Sequence, residues 1–461
     1  MSRSVLLRPF AVALLLSACS ESETPRPTTT LPSSPEATAT ESTTASATRI
    51  ELPDTAAGNQ LRWVLEESAT AEDSAYIERF SQTFLDQVPV AMLRREIATF
   101  EIESVTEVVS STDTELVVLA SSTLGQLVIT ITVEAEPPNQ IIGLLAQPSK
   151  LPDPPETWAQ VNSLLEANSM QWSFLAAEVA HDGSLNVIES GGEDRPVPLG
   201  SAFKIYVLGA VIDAIEGGEL SWEDSLTITE DLKSLPSGEL QDLPAGSTVS
   251  VREAAEKMIQ ISDNTATDLL INRVGRGRVE AMLSEMGMAE PSRRLTLPFL
   301  TTRELFTLKW GIPAESAAAY ASASTEQREV ILSELTAPLP GVAEFVNEPR
   351  FIDSIEWFAS PSEMIAAHVW LDRYRTTPGF EPLDAILGDN PGVPLDPALW
   401  PDTAFKGGSE PGVLFLGWLL HDPDGRRVGV IVSARNDSAV LDENAIAAVG
   451  AGIIDLTTSK G

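Results

Sequence analysis

The stretch Pro198-Leu199-Gly200-Ser201-Ala202-Phe203-Lys204 runs without a break into the apolar segment Ile205–Ile212, and its reading decides how the rest of the chain is understood. An apolar segment of this length after a Gly-Ser pair predicts a buried helix that starts at or beside Ser201. Lys204 then lies one turn further on, on the same face as Ser201. The first N–H groups of a helix have no intrahelical partner, and the helix dipole favours negative charge there. Ser201 is therefore a candidate nucleophile whose developing oxyanion would be stabilised in place. Lys204 is its candidate base, provided that burial or a second cation keeps the amine neutral. The four-residue spacing is weak alone, because a serine that merely caps a helix beside a solvated lysine reads the same way.

Two further stretches fit the same chemistry. Ser262-Asp263-Asn264 follows the amphipathic segment Val251–Ile261 and opens the next helical run, Thr265–Val274. These residues suit a helix cap; they equally suit a proton relay (Ser262), a brace for the turn (Asp263) and an anchor for a substrate amide (Asn264). Near the C-terminus, Lys406-Gly407-Gly408-Ser409 lies on a strand-like run. Read plainly it is a strand ending in a glycine bulge. Read chemically it is an edge strand that pairs with a substrate backbone, with Lys406 adding positive potential near Ser201.

In this order the three stretches resemble S-x-x-K, S-D-N and K-T-G, the motif set of class A β-lactamases and penicillin-binding proteins. The likeness is wider than the triplets. Leu199–Gly209 is similar to the family's nucleophile helix, Thr248–Leu270 to its central helices and Trp400–Ala434 to its last strands, so that about residues 155–460 are covered. Leu297–Leu305, Ile355–Ser360 (IEWFAS) and the two-domain layout resemble a narrower subgroup, the LpqF-like actinobacterial lipoproteins and the lactamase-fold protein of the clavulanate cluster. The resemblance implies that Ser201 is acylated and that Lys204 is its base. It places Ser262 and Asn264 on the opposite wall and Lys406 on the strand. The oxyanion donors it implies are the N–H groups of Ser201 and Ser409, beside Gly407 and Gly408.

The sequence departs from the family at two points. Gly407 replaces the threonine whose hydroxyl helps to hold a substrate carboxylate, leaving Ser409 as a partial substitute. No E-x-x-L-N pattern, the family's site for a deacylating glutamate, occurs between Ser262 and Lys406. Glu304, Glu344 and Glu348 are the nearest candidates, and each reads equally as a surface carboxylate. A serine hydrolase that is acylated by a β-lactam, peptide or ester and turns over slowly is the expectation. The alternative is a tethered envelope protein that binds a small molecule or peptidoglycan fragment with little turnover. A Ser-His-Asp triad is disfavoured, since His181, His368 and His421 bear no evident relation to Ser201.

Outward from these motifs, residues 155–461 read as one unit. A helix, Trp158–Asn168, precedes strands Ser173–Ala180 and Leu185–Glu189; a long helical region runs from Ser201 to Asp396; strands Thr403–Gly407, Val413–His421 and Arg427–Ala434 and a helix, Glu443–Leu456, close the chain. Strands at both ends of a helical middle imply one sheet assembled from distant pieces. Residues 54–149 read as a separate small α+β unit, with helical spacing first and then an antiparallel meander; the resemblance gives it a steroid-isomerase (NTF2-like) fold. The whole is an α+β protein, its larger part an antiparallel sheet with a helical subdomain. Residues 20–53, rich in Ser, Thr and Pro, read as a flexible tether. Residues 1–19 carry Arg3 and Arg8, an apolar run from Phe10 to Leu16 and the lipobox-like Leu16-Ser17-Ala18-Cys19, so export and lipidation at Cys19 on the outer face of a bacterial membrane are expected, with an ordinary secretory signal as the alternative.

Composition sets the outer bounds. The chain has 461 residues, with 30 Lys+Arg against 67 Asp+Glu and a formal charge of −37. That balance argues against nucleic acid as a partner, because neutralising phosphates takes clustered Lys and Arg. With a single cysteine and three scattered histidines, neither a metal site nor a cofactor is expected. The oligomeric state is open.

Overall fold

The computed structural model describes residues 50–99, 102–122, 125–149, 151–336, 338, 340 and 348–458. Residues 1–19 with Cys19, the tether up to residue 49, and Glu344 lie outside the described residues. Two compact units divide at residue 150.

In the first unit, helices α1 (Ala56–Glu66), α2 (Asp73–Arg79), α3 (Gln82–Gln87) and α4 (Val90–Thr99) precede strands β1 (Ile102–Ser111), β2 (Glu115–Ser122), β3 (Gly125–Val133) and β4 (Ile141–Pro148). The strands form an antiparallel meander in sequence order. Leu116, Val118 and Ala120 of β2 alternate with less buried residues, which gives the sheet one apolar face. Leu61, Trp63, Tyr76 and Phe84 from the helices, and Phe80 between α2 and α3, belong to the same core.

The second unit begins with α5 (Trp158–Asn168), β5 (Gln171–Val179), β6 (Leu185–Gly191) and the two-residue β7 (Val197–Pro198). A 3-10 turn, Gly200–Phe203, leads into α6 (Lys204–Glu216). Then follow β8 (Ser225–Thr227), β9 (Thr248–Ser250), α7 (Val251–Gln260), α8 (Asn264–Val274), α9 (Arg276–Glu285), α10 (Glu290–Thr296), α11 (Thr302–Phe306), α12 (Ala314–Ser322) and α13 (Thr325–Ser333). After the short β10 (Phe358–Ala359) come α14 (Pro361–Arg375), α15 (Pro382–Gly388), β11 (Asp402–Glu410), β12 (Val413–His421), β13 (Arg427–Arg435) and α16 (Glu443–Thr458).

Five of these strands form one antiparallel sheet in the order β11-β12-β13-β5-β6, so early and late strands of this unit pair in the sheet's middle and β11 is an edge. The side-chain period of two separates the faces. Phe405, Leu414, Leu416, Trp418, Val430 and Val432 point toward α5 and α16, while Ala404, Phe415, Leu419 and Ile431 join the larger core around α6 and α14. The result is a sheet with helices on both sides, a β-lactamase-like arrangement. The region read as continuously helical is broken by the β8–β9 ladder and by β10, which pairs with β7. Ladders of two or three residues are too short to show an alternating pattern, so helical periodicity masks them in the sequence.

Candidate active site

Ser201 lies within the 3-10 turn that feeds α6, not on the α-helix itself; Lys204 is the first α-helical residue. Two backbones touch at this point. The 3-10 turn crosses β11 so closely that a Cβ built on Gly408 would lie 2.2 Å from Leu199 O and 2.3 Å from Ser201 N. One built on Gly200, whose φ is +47°, would lie 2.9 Å from Ser409 N. Glycine at both positions is what lets the turn and the strand meet without side chains between them. The amides of Ser201 and Ser409 are thereby on adjoining segments.

Lys204 is fully buried, and its Nζ donates to Ser262 O at 2.6 Å, Asn264 Oδ1 at 2.7 Å and Ser262 Oγ at 3.1 Å. Lys406, also buried, donates to the same Ser262 Oγ at 3.2 Å and to Gly407 O at 2.6 Å. One hydroxyl thus lies between two amines, and among the described residues neither amine is paired with a carboxylate. Burial pushes Lys204 down to about 7, against the pull of Asp263 and Asp268. Burial, followed by the nearby Lys204, holds Lys406 well below the usual lysine range. Among the described residues Ser201 Oγ has no hydrogen-bond partner, whereas the amine of Lys204 is engaged by the Ser262 turn.

That turn is held firmly. Ser262 has φ +59°, uncommon for a residue with a side chain. Asp263 accepts from Ala266 N, Glu239 N and Leu240 N at 2.7, 2.7 and 2.9 Å, capping α8 and anchoring a neighbouring loop. Asn264 Nδ2 donates to Leu235 O, which fixes the amide's orientation toward Lys204.

On the strand, Lys406 and Gly408 face the helical core. Ser409 lies on the other face, where its hydroxyl hydrogen-bonds Glu443 at the start of α16, a carboxyl that burial pushes up to about 8. The hydroxyl expected to stand in for the missing threonine is therefore directed away from Gly407.

The segment Leu297–Leu305 is drawn beside Asn264. Thr302 N and Arg303 N donate to Asp268, Thr302 Oγ1 donates to Asn264 O, and Trp357 Nε1 donates to Leu300 O. Its only carboxylate, Glu304, accepts from Thr301 N at 2.8 Å in a capping box and pairs with Arg276 at 2.5 Å. Glu348 is exposed. None of the three histidines hydrogen-bonds Ser201: His181 is in an exposed turn, His421 faces Asp372, and His368 is buried with both ring nitrogens unpartnered.

Sequence reasoning missed a second cluster behind the turn. Lys309 Nζ lies 2.6 Å from Glu410 Oε1 and 3.4 Å from Glu356 Oε1, and all three side chains are buried. Glu356 Oε2 accepts from Gly200 N at 3.2 Å and Trp357 N at 3.0 Å. The available signal was a charge inside an apolar run, as in Leu308-Lys309-Trp310 and Ile355-Glu356-Trp357.

Residues 156–326 match the family described as Beta-lactamase enzyme family, and residues 52–137 match the one described as ORF 12 gene product N-terminal. No curated protein sequence matches the chain. Among solved structures, a β-lactamase from Sphaerobacter thermophilus DSM 20745 is similar at 21% identity over 66% of this chain and 98% of that one, with a TM-score of 0.45. A structure described as PBP-A is similar at 17% identity, 67% and 100% coverage and a TM-score of 0.41. A class A β-lactamase from Bacteroides cellulosilyticus DSM 14838 gives 18%, 65% and 97%, and 0.43. The family match at residues 156–326, with the motifs of residues 201–204, 262–264 and 406–408 gathered at one place, makes the larger unit similar to the β-lactamase enzyme family.

Proposed function

We propose that this protein is a penicillin-recognising serine hydrolase that forms an acyl-enzyme on Ser201 and releases it slowly. The observation that carries the reading is the buried Lys204 amine, hydrogen-bonded to Ser262 and Asn264 with no carboxylate partner among the described residues. An amine pushed down to about 7 is half neutral at that pH and can accept a proton. Ser201 Oγ attacks the carbonyl carbon of a β-lactam, peptide or ester, and its proton passes to Lys204 Nζ. The carbonyl carbon's bond to the leaving nitrogen or oxygen then breaks, and that atom takes a proton by way of Ser262 Oγ. Ser201 N–H and Ser409 N–H are the donors for the oxyanion, with Gly407 and Gly408 clearing the strand edge and Lys406 supplying positive potential.

Slow release rests on the carboxylates. Deacylation needs a base for water, and Glu304, the one acid in Leu297–Leu305, is occupied by Thr301 and Arg276. The expected result is stoichiometric labelling by a fluorescent penicillin, lost in Ser201→Ala, with hydrolysis well below the ~10 per second of an ordinary enzyme. Hydrolysis at that rate or above would overturn the slow step.

The first unit's helices-then-meander order supports assigning it the NTF2-like fold. The arrangement of Arg3, Arg8, the apolar run and Cys19 supports an exported lipoprotein anchored on the outer face of the membrane, acting on a small-molecule or peptidoglycan-derived substrate. Mass spectrometry of the N-terminal peptide from the native host tests the anchor.

A further inference from the structure

The segment Ile355–Ser360 has no assigned role, yet it holds nearly every residue leading to the nucleophile. Phe358 and Ala359 pair with Pro198 and Val197, and Trp357 O accepts from Leu199 N at 3.0 Å. Glu356 Oε2 then accepts from Gly200 N, the amide just before Ser201. The Trp357 ring stacks on Phe203, inside the S-x-x-K stretch, with centroids 3.6 Å apart. Backbone and side-chain contacts from this segment thus reach Val197, Pro198, Leu199, Gly200 and Phe203.

Lys309 carries this grip across to the strand. It joins Glu356, which holds the turn, to Glu410, which follows Ser409 on β11. The crossing between them, at Gly200 and Gly408, is backbone against backbone. Two bare backbones in contact limit how closely they approach but have no side chains to interlock, so groups outside the contact must help to hold their alignment. The Glu356–Lys309–Glu410 bridge spans it. Its members are almost fully buried, where low dielectric strengthens the attraction of Lys309 for Glu410 at 2.6 Å and for Glu356 at 3.4 Å.

We infer that Glu356 is a positioning residue which, bridged through Lys309 to Glu410, fixes the Gly200 peptide and so sets the spacing of the Ser201 and Ser409 amides for acylation. This inference rests on Ser201 being the nucleophile. It identifies an acylation determinant outside the three motifs.

The test uses the full chain as wild type, Glu356→Ala and Glu356→Gln. Lys309 keeps Glu410 in both variants, so neither leaves a buried lysine unpaired. Labelling by a fluorescent penicillin is resolved into a binding constant and an acylation rate constant, and hydrogen exchange is followed in the peptide spanning residues 199–204. Glu356→Ala is expected to slow the acylation constant by about tenfold to a hundredfold, with binding within about threefold. Exchange in 199–204 should rise by about tenfold or more while the remaining peptides stay as in wild type. Glu356→Gln, which keeps an oxygen for Gly200 N–H, should restore both to within about threefold. Wild-type acylation and exchange in Glu356→Ala would overturn the inference, as would a Glu356→Gln variant as impaired as the alanine. If Glu356→Ala loosens the whole chain, Glu356→Gln alone decides. An unlabelled wild type would refute Ser201 acylation, and the exchange data would then judge the clamp separately.

Discussion

Three lysines are buried among the described residues, and they divide into two kinds. Lys204 and Lys406 share the hydroxyl of Ser262 and hydrogen-bond no carboxylate, while Lys309 lies between Glu356 and Glu410. The same side chain in the same dry surroundings therefore has two fates. Where carboxylates compensate the charge, the lysine is a strut. Where only hydroxyl, amide and carbonyl oxygens surround it, burial pushes the ammonium toward its neutral form, which is the form that can take a proton. One kind is bonded to the Ser262 motif, and the other reaches the Gly200 amide through Glu356.

The comparison breaks most visibly at Lys204. Lys204→Met removes the proposed base while leaving an unbranched apolar stem, and the acylation rate should fall by about 10²–10⁴-fold. Stopped-flow labelling measures this, and a near-wild-type rate would make Lys204 a strut as well. The counterpart at the other lysine is a loss of stability. Lys309→Met strands two buried carboxyls beside each other, and denaturant unfolding should register about 3–5 kcal/mol. A Lys309→Met protein as stable as wild type would show that the cluster carries no such strain.

Gly408→Ala comes next. Its methyl would meet Leu199 O and Ser201 N at distances that real contacts do not allow, so strand and turn must separate. A stability loss of about 1–3 kcal/mol is expected, together with slower labelling. The pH profile sharpens the contrast further. Lys204 must be neutral to act, so acylation should rise about tenfold per pH unit below 7 and level off above it. A flat profile from pH 5 to 8 would remove the amine from the reaction. The smallest effect is expected at Glu304→Gln. It weakens a partly exposed pair with Arg276 and a capping box, costing about 1 kcal/mol in thermal unfolding and leaving acyl-enzyme release unchanged.

Much of this site was legible because each motif is local. Ser201 and Lys204, or Ser262 and Asn264, lie within four residues of each other, so nearness along the chain alone keeps each pair together. Much of the five-stranded sheet was legible for a similar reason, since β5, β12 and β13 are largely apolar along their length, whereas β6 and β11 carry no such run. The second cluster was not. Lys309, Glu356 and Glu410 are single residues brought together across long stretches of chain, and no period links them. The sharing of Ser262 Oγ by two lysines was equally hidden, because register and side-chain reach decide it rather than spacing. The hydroxyl of Ser409 illustrates the limit on a single strand. Period-two alternation puts it opposite Lys406 and Gly408, yet only the position of α16 reveals Glu443 as its partner.

The central claim is that Ser201 is acylated by a nucleophilic attack that Lys204 assists. Intact-mass spectrometry after incubation with a penicillin, followed by peptide mapping, measures it directly. A single adduct with the mass of the whole penicillin, carried on Ser201, persisting for minutes and missing from Ser201→Ala, is the predicted result. No adduct, or one on another residue that survives Ser201→Ala, would contradict it.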